Sequence, residues 1–120
     1  VRPLEGLPAF DAALTVEKHR HSALVGTGLG VWLHQQGITH LMIAGIRTEQ
    51  CCETTTRHAS DEGWAVDFIP DAMLTFDMTT PDGAVLTAAQ IRERTCTVLA
   101  GRFATLCTVD QALARAAERH

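Results

Sequence analysis

The chain has 120 residues, 46% of them hydrophobic, with 10 Lys and Arg against 14 Asp and Glu for a net charge of −4. That length is one domain's worth and enough to bury a core. No apolar run approaches the roughly 18 residues a membrane span needs, and an acidic balance with scattered Arg and Lys excludes an electrostatic case for nucleic acid.

Val1-Arg2-Pro3-Leu4 lacks the charged-then-apolar order of a secretory signal peptide. Residues 1–13 read as irregular, because Pro3, Gly6 and Pro8 interrupt any periodic pattern. Ala13 to Val16 is a short strand-like run ending at Glu17-Lys18. His19 to Gly26 reads as a loop. Thr27 to Gln36 is predicted helical, with Leu29, Trp32 and Leu33 at i, i+3 and i+4 and Gly37 suited to the C-terminal cap. Ile38 to Ala44 is an apolar run of strand length.

After a sharp turn at Gly45, a helix is predicted from about Gln50 to Glu62, closed by Gly63. Trp64 to Ile69 is the next strand, stopped by Pro70-Asp71, and Ala72 to Thr79 is a loop. Thr80-Pro81-Asp82 has the chemistry of a helix start, with Thr as N-cap and Pro at the first helical position, and predicts a helix to about Leu99. Phe103 to Cys107 is the last strand. Thr108 to Gln111 has the spacing of a capping box and opens a final helix to about Arg119.

The resulting order is β-loop-α-β-α-β-α-β-α. Alternation with short connections implies parallel strands crossed over by helices, hence an α/β fold of three αβα layers around a mainly parallel sheet, as one domain over 1–120. A parallel sheet is covered on both faces and has more strands inside than four. With a first residue that is Val rather than Met, this predicts that an upstream portion is missing.

In such sheets, sites form outside the carboxyl ends of the strands. Three such ends carry polar residues: Glu17-Lys18, Gly45 to Cys51, and Asp71. Cys51 lies in the first turn of the predicted helix, where the positive end of the helix dipole favours a thiolate. It reads either as a nucleophile or, like most free cysteines, as a small buried hydrophobe. Cys52, one position on, points elsewhere and reads as core. Lys18 is either a solvated charge or a partner of the thiol on the same rim. Arg47 either grips an anionic substrate group or reaches into solvent, and Thr48 reads as the helix N-cap.

His19 and His21 have an H-x-H spacing, but His34, His40, His58 and His120 are scattered and no Cys-x-x-Cys occurs. No metal site is expected within the chain. Gly26-Thr27-Gly28-Leu29-Gly30 fails the dinucleotide register, because Val31 stands where the pattern requires otherwise, and no cofactor is expected. Four Cys in a chain rich in regular elements do not form a disulfide scaffold, so a reducing cytoplasm is the expected setting.

Two segments resemble the isochorismatase-like cysteine hydrolase family, which includes nicotinamidases, isochorismatases and N-carbamoylsarcosine amidases. Lys18-His19-Arg20-His21-Ser22-Ala23-Leu24, with Thr27 and Leu29, is similar to the family's K-x-x-x-S-A-F-x-x-T-x-L segment, with Leu24 in place of Phe. Gly45 to Cys52, then Thr55, Arg57 and Ala59, is similar to G-V-x-T-x-x-C-V-x-x-T-x-R-D-A. Cys52 stands there for Val and His58 for Asp. Gly63 to Val66 and Pro70-Asp71-Ala72 fit the strand and turn that follow, so the resemblance covers most of residues 13–113.

The resemblance implies a Cys–Lys–Asp triad in which Cys51 attacks a carbonyl or related carbon and Lys18 favours the thiolate. It implies a cis peptide at Ile46–Arg47 and an oxyanion hole made by the backbone N–H groups of Arg47 and Cys51; Arg47 and Thr48, in the same turn, are expected to contact the substrate. It also implies a small-molecule substrate and homo-oligomers. The family's Asp lies in a D-x-Q-like segment upstream of the lysine. Asp11, only seven residues before Lys18, does not match it, so the triad Asp and the metal residues of nicotinamidase-type members are expected in an upstream part. The competing reading is a binding or assembly module that keeps the fold without the chemistry. A thiol redox sensor built on Cys51 and Cys52 is a third, but no well-placed resolving Cys is evident.

Overall fold

The computed structural model describes residues 10–119, so the expectations for residues 1–9 and for His120 lie outside it. Three parallel strands form the sheet in the order β1-β2-β5: β1 is His40–Ile46, β2 is Ala65–Leu74 and β5 is Thr105–Leu106. β2 is central. Its side chains alternate across the sheet, as the two-residue strand period requires. Val66 and Phe68 join the main core with Leu33, Cys52, Ala59, Trp64 and Leu99. Ile69 faces the other way and packs with Cys107 and Ala112.

Helices supply these two coats. α1 (Leu29–Gln35), α2 (Glu53–Asp61) and α3 (Ala88–Leu99) contribute Leu33, Ala59 and Leu99 to the first face, and α4 (Val109–Glu118) contributes Ala112 to the second. This is the expected α/β arrangement of three layers. α1 ends as its sequence predicts: the Gly37 N–H donates to the His34 carbonyl at 3.1 Å, and Gly37 has a φ of +69°. None of the helices described is long and apolar enough to cross a membrane.

Three expectations need correction. Ala13 to Val16 forms no strand; the run is largely exposed and pairs with nothing in the described sheet. Four residues with two small members offer too little apolar surface to hold a strand. The second strand does not stop at Pro70 but runs to Leu74. It absorbs the proline through a register break: Ile43 pairs with Phe68, whereas Gly45 pairs with Met73. A missing N–H is tolerated where the ladder is already interrupted.

The third correction concerns Thr80. It caps a turn rather than a helix, since the Ala84 N–H donates to its hydroxyl at 3.0 Å. The turn closes a small antiparallel hairpin of β3 (Met78–Thr79) and β4 (Val85–Leu86). Helix α3 begins only at Ala88. Thr87 and Gln90 make its capping box, and Asp77 Oδ1 accepts from the Ala88 N–H at 2.8 Å.

On the second face, the Asp67 side chain is fully buried. It accepts a hydrogen bond from Arg115 Nε at 3.0 Å, and Arg119 Nη2 lies 3.8 Å away. His40 Nε2 is 3.0 Å from Asp67 Oδ1, but out of line for a hydrogen bond. Burial raises the acid's pKa, but the Arg115 hydrogen bond and the His40 ring outweigh it and hold the carboxyl below its ordinary range.

Candidate active site

At the carboxyl end of β1 the chain turns at Gly45, whose φ of +128° suits only a residue without Cβ. The next peptide, Ile46–Arg47, is cis. A π-helical turn, Thr48–Cys52, then runs directly into α2. In it the Arg47 carbonyl accepts from the N–H groups of both Gln50 and Cys52, each at 3.2 Å. The bond from Cys52 reaches back five residues, so the turn holds one residue more than an α-helical turn.

The two adjacent cysteines diverge from this wide turn. Cys52 is 4% exposed, and its Sγ belongs to the main core. Burial, with Cys51 and Glu49 alongside, pushes its thiol up to about 11, which keeps it neutral. Cys51 is half-buried, and its Sγ accepts from Lys18 Nζ at 3.0 Å.

Lys18 does not sit at the end of a strand. It lies in an irregular loop that α2 fastens. The Ala23 N–H donates to Thr55 Oγ1 at 3.0 Å, and that hydroxyl lies 3.4 Å from the His21 carbonyl. The buried Ser22 Oγ lies 2.7 Å from His58 Nδ1. One helix thus carries the thiol at its start and, one and two turns on, the anchors of the loop that brings the ammonium. Lys18 Nζ also donates to the Arg20 carbonyl at 3.1 Å, which limits its swing.

The sulfur opens on a cavity of about 290 Å³ whose lining includes Lys18, Met42, Ala44, Ile46, Cys51 and Thr55. β1 contributes its apolar wall, and the loop and helical turn its polar end. A larger cleft of about 360 Å³, lined by Val31, His34, His58, Glu62 and Trp64 among others, does not include Cys51.

The remaining residues singled out in the sequence divide. The Arg47 guanidinium stacks over the Phe76 ring at 5.0 Å. Thr48 is 1% exposed, and its hydroxyl is directed at the Leu74 carbonyl at 3.4 Å. It is not the N-cap, a position that falls to Arg47 without any side-chain cap. His21, which the sequence does not single out beyond its H-x-H spacing, also approaches the sulfur. Its Nδ1 lies 3.8 Å from Cys51 Sγ. The available signal was its position three residues after Lys18 in the same loop, which the H-x-H spacing obscured.

Comparison with known proteins follows the same residues. Residues 2–111 match the isochorismatase domain, and the chain belongs to the isochorismatase family. It is 32% identical over 102 residues to YrdC of Bacillus subtilis, named as an uncharacterized isochorismatase family protein, covering 85% of this chain and 54% of that one. It is 34% identical over 96 residues to Nicotinamidase 3 of Arabidopsis thaliana, covering 80% and 43%. An isochorismatase structure from Pseudomonas putida KT2440 matches with a TM-score of 0.75 at 32% identity, over 89% of this chain and 52% of that one. The chain thus spans about half the length of the curated relatives it matches.

Proposed function

We propose that this chain is a hydrolase domain that cleaves an amide, or a related C–N or C–O bond, of a small molecule by nucleophilic attack from Cys51. The observation that carries this reading is the 3.0 Å contact from Lys18 Nζ to Cys51 Sγ at the mouth of a cavity. An ammonium donating to sulfur favours the thiolate, the form that attacks. Cys52 does not compete, because its buried thiol stays protonated.

In this reading the substrate carbonyl lies in the cavity beside β1. The Cys51 sulfur forms a bond to its carbon, and the carbonyl π pair moves onto oxygen. The backbone N–H groups of Arg47 and Cys51 receive that oxyanion. The charge returns to re-form the carbonyl, the leaving group departs, and water releases the acyl group from sulfur. Arg47, at the rim, grips an anionic group of the substrate. The likeness to Nicotinamidase 3 supports an amide.

Ammonia or amine release from a panel of small amides that includes nicotinamide tests this, with Cys51→Ala as control. Release that depends on Cys51 is expected; equal release by the variant would sink the reading.

A second reading, an assembly module without chemistry, is favoured by the outer edge of β1. Among the described residues that edge is unpaired, and Met42, Ala44 and Ile46 are exposed there. If assembly were the whole function, Cys51→Ala and Lys18→Ala would leave both the sedimentation behaviour and the biological activity unchanged.

A further inference from the structure

We propose that Phe76 is a positioning residue that sets Arg47 to select amides with a carboxylate at their far end, the half-amides of dicarboxylic acids. The role rests on Cys51 acting on amides and on Arg47 meeting an anion. One short segment after β2 holds the turn that carries the thiol. The Thr48 hydroxyl is directed at the Leu74 carbonyl at 3.4 Å, the Thr75 hydroxyl donates to Glu49 Oε1 at 2.6 Å, and the Arg47 guanidinium lies 5.0 Å from the centre of the Phe76 ring. Arg47, Thr48 and Glu49 are thus each met by one residue of Leu74-Thr75-Phe76. The two hydroxyl contacts fix the segment to the turn, and the ring then fixes the guanidinium.

Stacking leaves the guanidinium able to bind. The ring covers one face of the ion, whereas the N–H groups point outward in its plane, where a carboxylate is met by two parallel hydrogen bonds. A free arginine gives up rotamer freedom when it grips a ligand. One already held over a ring gives up less, and the difference appears as affinity. The charge is not neutralised within the turn either. Glu49 accepts from Thr75 and Gln50, and among the described residues no carboxylate forms an ion pair with Arg47.

The direction of the guanidinium defines the substrate's other end. The cavity at Cys51 is lined along β1 from Met42 to Ile46, and its lining does not include Arg47. Phe76 follows β2, the neighbour of β1 in the sheet. The guanidinium is therefore drawn toward β2, outside the cavity that receives the carbonyl. It meets a part of the substrate that projects from that cavity. A small neutral amide has no charged group there, whereas the half-amide of a dicarboxylic acid has its carboxylate.

Protection of Cys51 from iodoacetamide tests this without requiring turnover, because a half-amide that binds beside the sulfur or acylates it blocks alkylation alike. Succinamate, glutaramate and adipamate are compared with butyramide, pentanamide and hexanamide, which match them in carbon number, and modification of Cys51 is read by mass spectrometry. In the native chain at least one half-amide is expected to halve the rate at a lower concentration than its neutral partner. Phe76→Leu is expected to raise that concentration roughly threefold, the size of an exposed cation–π contact. It should leave the neutral amides and the unprotected rate unchanged, and Phe76→Tyr, which keeps a ring, should restore the native value. Undiminished protection by half-amides in Phe76→Leu, an equal weakening of neutral amides, or a loss in Phe76→Tyr as large as in Phe76→Leu would overturn the role of Phe76. Half-amides that protect the native chain no better than neutral amides would instead overturn the anionic partner of Arg47 on which that role rests, and protection by neither kind would overturn the cavity as an amide site.

Discussion

Lys18 reaches Cys51 from a loop with no secondary structure of its own, so the 3.0 Å contact is held by Arg20, Ala23 and Ser22 rather than by a strand. A charge-assisted hydrogen bond to the sulfur has a consequence that alkylation can read. Lys18→Met is expected to slow iodoacetamide modification of Cys51 at pH 7 by roughly tenfold, because the sulfur loses its charge-assisted hydrogen-bond donor. An unchanged rate would mean that the ammonium is a bystander. Arg47 is testable at the same scale. Arg47→Ala is expected to raise KM for carboxylate-bearing substrates while leaving neutral ones near their original values, and an equal rise for both would remove its anionic partner.

Much of this site is legible in the sequence. Gly45 before a helix start, a cysteine in the first turn, and Lys18 four residues ahead of Ser22-Ala23 are local patterns tied to local geometry. The His21 contact is less legible, because a side chain's direction in an irregular loop depends on hydrogen bonds made to a helix some 30 residues on. Thr48 was misread for a related reason. Its residue type suits an N-cap, but the π-helical turn rotates it inward toward the Leu74 carbonyl.

Among the elements, α3 and α4 show how a cap decides where a helix begins. Both carry a Thr-x-x-Gln capping box, at Thr87 to Gln90 and Thr108 to Gln111. The second is plain in the sequence, and its helix starts where expected. The first was hidden by Thr80-Pro81-Asp82, which has equally good start chemistry. Gly83, with a φ of +91°, and the Ala84 N–H bond to Thr80 commit that stretch to a turn instead. Thr87→Ala is therefore expected to lower stability by about 1 kcal/mol, as the loss of an N-cap usually does. Thr80→Ala, which touches only an exposed hairpin, should cost less. Urea unfolding of the two variants measures both, and the reverse order would place the cap wrongly.

At the scale of the whole molecule, Asp67 joins sheet to helix. It sits on β2, touches His40 on β1, and pairs with Arg115 and Arg119 on α4. Its folded pKa lies below the ordinary value, so its contribution is fully present above about pH 4 and is lost as pH falls through the folded value. Asp67→Asn is expected to cost about 2 kcal/mol at pH 7, where a buried charge-assisted hydrogen bond is lost. The gap from the native chain should narrow as pH falls below the ordinary carboxylate value of about 4 and toward the depressed folded value, where Asp67 itself takes up a proton. A gap of constant size at pH 7 and pH 3 would show that the carboxylate charge is not what binds α4 to the sheet. Sequence alone marks Asp67 only as a polar residue inside the apolar run Trp64 to Ile69; the arginines that justify it lie one helix turn apart and some 50 residues away.

The proposed reaction turns on one thiol among four. Rates of iodoacetamide modification at Cys51, Cys52, Cys96 and Cys107, resolved by mass spectrometry across pH 5 to 9, test it directly. Cys51 is expected to react first and, at pH 7, faster than a small free thiol, with Cys52 the slowest to follow its neighbour because its thiol stays protonated to about pH 11. A Cys51 that reacts no faster than the free thiol at pH 7 would contradict the claim that Lys18 and the helical turn prepare it for attack.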